Sequence, residues 1–188
     1  MVRILILDDD PLFGQTLRDR LRRKRPFPCE IVYVETAETA VAQVQNSDEP
    51  FHIFLIDQRL GPGPDGIAVM EQLGGLNPQA DAIIFTGLND LESGLRAIQA
   101  GAYRFLTKPF DTEELIWILR TVVEHQRMRY ERDWLRILNG ISQEIQQSLL
   151  ADEIARHLVA GGVQLGYERV RVWRLCPANT HLRSLQFG

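Results

Sequence analysis

Lysine is almost missing from this chain, and cysteine is scarce. Of its 21 basic residues only Lys24 and Lys108 are lysines. The two cysteines, Cys29 and Cys176, lie far apart and outside any paired motif. That spacing excludes a disulfide frame or a zinc site and fits reduced thiols in a cytoplasmic setting. No apolar run approaches the roughly 18–20 residues that a membrane helix needs. The opening MVRILILDDD has no cleavage site and runs into three acids, so it does not read as a secretory signal. Positive charge is also lacking. Residues 1–110 carry 15 acids against 11 bases, and residues 111–188 carry ten of each. Neither half is basic enough to argue for nucleic acid. At 45% apolar and 24% charged residues, the composition excludes disorder, collagen and a simple coiled coil for the chain as a whole.

The first 110 residues alternate between two periods. VRILILD (2–8), CEIVYVE (29–35), FHIFLID (51–57), DAIIFTG (81–87) and YRFLTKPF (103–110) read as buried strands. Between them, apolar residues recur at helical spacing: Phe13, Leu17, Leu21; Ala37, Val41, Val44; Ile67, Met70, Leu73; and Leu91, Leu95, Ile98, Ala102. Five near-continuous apolar strands separated by helices predict a parallel sheet with helices on both faces. A fifth helix starts at Asp111, with Glu114 placed for a capping box. Its pattern runs on past residue 125, through Trp134, Leu138, Ile141 and Ile145. We read one helix over roughly 111–147, whose later part pairs with a copy of itself; the alternative reading is two helices broken near Asn139-Gly140. A helix over 151–165, weakened by Gly161-Gly162, and two strand patterns (169–175 and 181–187) around a turn at 177–180 close the chain. They are too little to bury a core alone.

Parallel sheets bind ligands at the carboxyl ends of their strands. Those ends carry Asp8, Asp9 and Asp10 on the first strand, Asp57 on the third, Thr86 on the fourth and Lys108 on the fifth. Each has an ordinary reading alone: acids at a helix N-terminus, turn residues, a surface lysine. Together on one rim they form a crowd of carboxylates that calls for a hard cation, Mg²⁺ or Mn²⁺. A lysine and a hydroxyl opposite suit a phosphoryl group bound to that ion. A carboxylate nucleophile, a divalent ion and a lysine make a phosphoryl-transfer site.

The motifs ILILDDD, FLID, Asp65-Gly66, IIFTG and FLTKPF, in this order and spacing, resemble the receiver domain of two-component response regulators over residues 1–125. The resemblance implies a flavodoxin-like strand order, 2-1-3-4-5. It makes Asp57 the phosphoacceptor for a histidine kinase or phosphotransfer protein. Asp9, Asp57 and the Arg59 backbone carbonyl would bind Mg²⁺, with Asp8 acting through water. Thr86 and Phe105 would be the switch pair, and Lys108 would hold the phosphoryl oxygens, its bond to Pro109 being cis. Three departures stand out. Gly87 replaces the usual alanine, the loop from Asp57 to Asp65 is one residue longer, and Phe105 lacks a tyrosine hydroxyl. The segments LADEIARHLV, GYERVRVWRL and HLRSLQFG resemble the start of a GAF domain. The expected organisation is a receiver (1–125), a helical linker that dimerises (126–147) and a truncated GAF-like start (148–188). The output would lie beyond residue 188, for example in a larger histidine kinase or a DNA-binding regulator.

Rival readings fit less well. A haloacid-dehalogenase-type phosphatase also uses an aspartate, a threonine and a lysine. Here Leu12 breaks its first motif, and the acids after Lys108 that could serve, Asp111 and Asp133, fall on helix. A flavodoxin-like cofactor binder would need a hydroxyl-rich loop where Asp8-Asp9-Asp10 stands. The Arg/Lys run at 18–25 reads as a solvated helix face, and no helix-turn-helix pattern follows residue 125. His125, His157 and His181 lack paired acids or cysteines at metal spacing.

Overall fold

A computed structural model describes residues 1–61, 63–87, 90–147, 151–168, 170–175 and 182–185. The turn expected at 177–180, Cys176 and His181 lie outside these residues. The chain divides into two compact units, Met1–Glu124 and His125–Gly188.

The first unit is built from β1 (Val2–Leu7), α1 (Pro11–Lys24), β2 (Cys29–Val34), α2 (Ala37–Gln45), β3 (Ile53–Asp57), α3 (Gly66–Leu76), β4 (Asp81–Thr86), α4 (Leu91–Gln99), β5 (Arg104–Thr107) and the start of α5 (Thr112–Gln147). The sheet has the order β2-β1-β3-β4-β5, and every pairing is parallel. This is the flavodoxin-like arrangement expected from the sequence.

Alternation along the strands sorts the core into two layers. Ile4, Ile6, Ile53, Leu55, Ile83 and Phe85 pack with Leu17 and Leu21 of α1 and with Leu115, Ile118, Leu119 and Val122 of α5. Leu5, Leu7, Phe54, Ile56, Ala82 and Ile84 pack with Ala37 and Ala40 of α2, Val69, Met70 and Leu73 of α3, and Ala97 of α4. Burying an aliphatic side chain of this size is worth about 1.5–3 kcal/mol, so both faces of the sheet are strongly committed.

Helix ends follow local chemistry. Asp10 caps α1 by accepting from the backbone N–H groups of Leu12 and Phe13. Arg22, Arg23 and Lys24 fill its last turn, where cations suit the helix dipole. The basic run at 18–25 is also partly paired: Arg18 with Asp19 and Lys24 with Glu113. Thr36 and Thr39 form a reciprocal capping box on α2. At the start of α5, the Asp111 carboxylate accepts from the Glu113 N–H.

The large apolar residues that mark α4 in the sequence are not the ones it buries. Leu95 and Ile98 of α4 are exposed, while Ser93 and Ala97 are buried. The reason is close packing. A methyl on Gly94 would stand 2.7 Å from the Phe105 ring, so α4 approaches β5 through small residues and turns its large ones outward.

The second unit holds the rest of α5, α6 (Ala151–Gln164) and an antiparallel pair, β6 (Val172–Leu175) with β7 (Leu182–Leu185). The Gly161-Gly162 pair does not merely weaken α6. A methyl at Gly161 would stand 2.3 Å from Ile141 Cδ1, and one at Gly162 would stand 2.4 Å from Val170 Cγ2. The two glycines therefore admit neighbouring side chains. No described helix is long and apolar enough to cross a membrane.

Candidate functional site

β1, β3, β4 and β5 end on one rim, and their terminal residues converge there. Lys108 is the centre. Its Nζ donates to Asp8 Oδ2 at 2.6 Å and lies 2.6 Å from Asp57 Oδ1. It also sits 3.9 Å from the centroid of the Phe13 ring, a cation–π contact. One ammonium is thus shared by two carboxylates. Asp8 is almost fully buried, at 1% exposure. Burial pushes its carboxyl above the usual aspartate range, against the opposing pull of Lys108 and of the Asp10 N–H.

The Asp57 carboxylate has a second partner, since Oδ2 accepts from the Arg59 N–H at 3.1 Å. Its backbone is clamped by Gly66. The Gly66 N–H donates to Gln58 O at 2.8 Å, and any Cβ at Gly66 would stand 2.2 Å from the Asp57 carbonyl oxygen. This explains the glycine of the Asp65-Gly66 motif. Asp65 itself caps α3 through the Ala68 N–H.

Thr86 is buried, and its hydroxyl lies 3.5 Å from that of Thr107. The Lys108 N–H donates to Thr86 O at 2.7 Å, which ties the β5 end to the β4 end. The Lys108-Pro109 bond is cis. Phe105 pairs in register with Ile84. It therefore shares a sheet face with Thr86, two residues further along β4, and packs against the α2–α4 core layer.

Asp9 is exposed. A Cβ at Gly61 would stand 3.4 Å from Asp9 Oδ2, which places this carboxylate beside the loop that follows β3. Asp10, the third acid, is absorbed by helix capping. Among the described residues no three of His, Cys, Asp or Glu gather as a ready metal cluster. An Mg²⁺ ion does not need one, because it binds through one or two carboxylates and keeps several waters. The all-oxygen donors Asp9, Asp57 and the Arg59 carbonyl fit that requirement.

Sequence reasoning missed two contacts here. A Cβ at Gly87 would lie 2.8 Å from Arg59 Nη2. The departure from alanine thus makes space for a guanidinium that crosses from the β3 rim to the β4 rim. The second is Tyr33, whose hydroxyl donates to the backbone oxygen of Asp8 at 3.0 Å. Neither contact has a local sequence pattern.

The arrangement defines a class: a doubly wound α/β domain whose strand ends hold carboxylates around one lysine. The chain belongs to the response regulator receiver domain family, whose model matches residues 4–120. It is 30% identical over 148 residues to the C4-dicarboxylate transport transcriptional regulatory protein DctD of Pseudomonas aeruginosa, covering 79% of this chain and 31% of that protein. It is 31% identical over 126 residues to the transcriptional regulatory protein ZraR of Salmonella typhimurium, covering 67% of this chain and 27% of that one. The chain therefore spans between a quarter and a third of the length of these curated relatives. Among solved structures it resembles a CheY-like receiver domain from Methanospirillum hungatei, with TM-score 0.60 and 28% identity over 69% of this chain and 98% of that one. Membership gives the chain a phosphoacceptor role in two-component signalling.

Proposed function

We propose that Asp57 is the residue that takes the phosphoryl group, from a histidine kinase or a histidine phosphotransfer protein. The observation that carries this is the shared ammonium. Lys108 holds Asp57 in place while remaining bound to buried Asp8. A carboxylate oxygen of Asp57 attacks phosphorus as the donor's P–N bond breaks. Asp57 then becomes an acyl phosphate, and Lys108 stays on Asp8 while turning to a phosphoryl oxygen. Asp9, Asp57 and the Arg59 carbonyl would hold Mg²⁺ or Mn²⁺, with Asp8 acting through water; the ion supplies charge neutralisation of the phosphoryl oxygens. Thr86 moves toward the phosphoryl group and Phe105 follows by packing. The test is incubation with Mg²⁺ and a small phosphodonor, read by intact mass. The parent gains one phosphoryl group, and Asp57→Asn does not. Equal incorporation in the variant would overturn the assignment.

We infer further that the receiver occupies residues 1–125, followed by a linker over 126–147 and the start of a GAF-like module over 148–188. The division into compact units after Glu124 supports the end of the receiver near residue 125. The GAF likeness rests on the sequence alone. The exposed Trp134, Leu135 and Leu138 support pairing of the linker with a second copy. Chemistry within these residues is self-phosphotransfer and hydrolysis of the acyl phosphate, and the setting is cytoplasmic. Sedimentation of the chain tests the dimer: a monomer at high concentration refutes it.

A further inference from the structure

The loop Asp8-Asp9-Asp10 has to hold three negative side chains in place between β1 and α1. Its first residue is fixed partly by the neighbouring strand β2: the Asp8 N–H donates to Val34 O at 3.3 Å. Its last is fixed by α1, because the Asp10 carbonyl accepts from the Gly14 N–H at 2.9 Å. One side chain from outside the loop touches both regions. Tyr33 stands on β2 in register with Ile6, so its Cα lies two positions short of Asp8. The phenol spans that gap, and its hydroxyl donates to the Asp8 carbonyl at 3.0 Å. On the way the ring lies against α1 at Gly14. A methyl there would stand 2.1 Å from Tyr33 Cε2, closer than any real contact.

We propose that Tyr33 is a positioning residue for the acidic loop, fixing the Asp8 carbonyl from above Gly14 so that Asp8 and Asp9 face a divalent cation. The proposal rests on the metal-side reading of Asp8 and Asp9 given above. Two features of the contact suit the role. The acceptor belongs to a residue with 1% exposure, where an unmet carbonyl is costly. The aromatic ring is rigid, so its hydroxyl arrives with little loss of freedom. Glycine at position 14 is the counterpart of the tyrosine, because any larger residue would lift the ring away from the loop.

The experiment uses the full chain and Mn²⁺ alone, with binding read from the electron paramagnetic resonance signal of the free ion. Outer-shell partners of metal ligands are commonly worth 10–100-fold in affinity. Tyr33→Phe keeps the ring on Gly14 and removes only the hydroxyl, so Mn²⁺ affinity should fall about tenfold with the urea midpoint near the parent's. Gly14→Ala should weaken Mn²⁺ similarly, and adding Tyr33→Phe to it should cost nothing more. Asp9→Ala and Asp57→Asn serve as references. If they lose Mn²⁺ while Tyr33→Phe stays within about twofold of the parent, the role of Tyr33 is overturned and the metal site stands. A lower urea midpoint for Tyr33→Phe with unchanged affinity likewise makes the residue merely structural and overturns the proposal. If both aspartate variants bind Mn²⁺ as the parent does, the metal-side reading itself falls, and the role of Tyr33 falls with it.

Discussion

Replacing Lys108 with methionine tests the charge balance of the site directly. The side chain keeps much of its volume and loses its ammonium. Asp8 Oδ2 and Asp57 Oδ1 both lie 2.6 Å from Nζ, so they stand within about 5 Å of each other. At an effective dielectric constant of about 20, two unit charges at that separation repel by about 3 kcal/mol. Lysine now offsets this, and neither carboxylate has water as a full substitute, with side-chain exposures of 1% and 12%. Breaking a buried pair by removing one partner typically costs 3–5 kcal/mol. We expect Lys108→Met to lose about 3 kcal/mol at neutral pH, the low end, because Lys108 is itself partly exposed. With a urea slope of about 1–3 kcal/mol per molar, the midpoint falls by about 1–3 M. The sign of the pH response is a second check. A carboxyl held above its usual range binds its proton more tightly in the folded state, so acidification through that raised value relieves the penalty. Mg²⁺ should also restore part of the loss by mass action. Circular dichroism in urea measures all three. An unchanged midpoint, or a destabilisation that grows on acidification, would refute the reasoning.

Three other outcomes are expected. Gln58 is buried and its Oε1 has no hydrogen-bond partner among the described residues, so Gln58→Met should stabilise the protein by about 1 kcal/mol, read as a higher urea midpoint. Partial burial, the chain's amino terminus and Arg3 hold His52 below its ordinary 6.5, while its Nδ1 accepts from the Arg3 N–H at 3.2 Å. The unfolded chain therefore takes the proton first as pH falls, stability drops from about pH 7 to pH 5, and His52→Gln should flatten that slope. Gly94→Ala should cost about 1–3 kcal/mol by overpacking Phe105, and adding Phe105→Leu should recover most of it in the same denaturation assay.

Much of the fold was legible because its code is short-ranged. Strands buried on both faces read as apolar runs, and FHIFLID and ILILD could hardly be anything else. The run of α5 beyond Glu124 was also visible, since no proline or glycine interrupts its period before Gly140. Asp8, Asp57, Thr86 and Lys108 were findable for the same reason. A parallel sheet places strand ends on one rim, so position in the pattern gives position in space. The existence of α4 was legible but its buried face was not, because periodicity detects large apolar residues. Here the buried positions are Ser93 and Ala97, beside a glycine, and Leu95 and Ile98 point to solvent. A helix drawn close to the sheet buries its small residues.

The contacts that escaped the sequence share one form. Tyr33 on Gly14, Arg59 on Gly87 and Phe105 on Gly94 each seat a large side chain where a methyl group would collide, at 2.1, 2.8 and 2.7 Å. The partners are 19, 28 and 11 residues apart, so no window of local periodicity contains both. Glycine alone reads as a turn or a weak helix position, and only the second residue shows what it makes room for. The two classes of residue also do different work. Carboxylates, threonine and lysine would supply the charges and oxygens of the proposed phosphoryl transfer, and their chemistry can be recognised by type. The glycine partners fix where those groups stand, through volume rather than functional groups. Arg59 and Tyr33 bear on the residues proposed to face the phosphoryl group and the metal, whereas Gly94 bears on Phe105, the proposed packing half of the switch. A substitution at any of these glycines should therefore alter how the site is held without removing a single group that reacts.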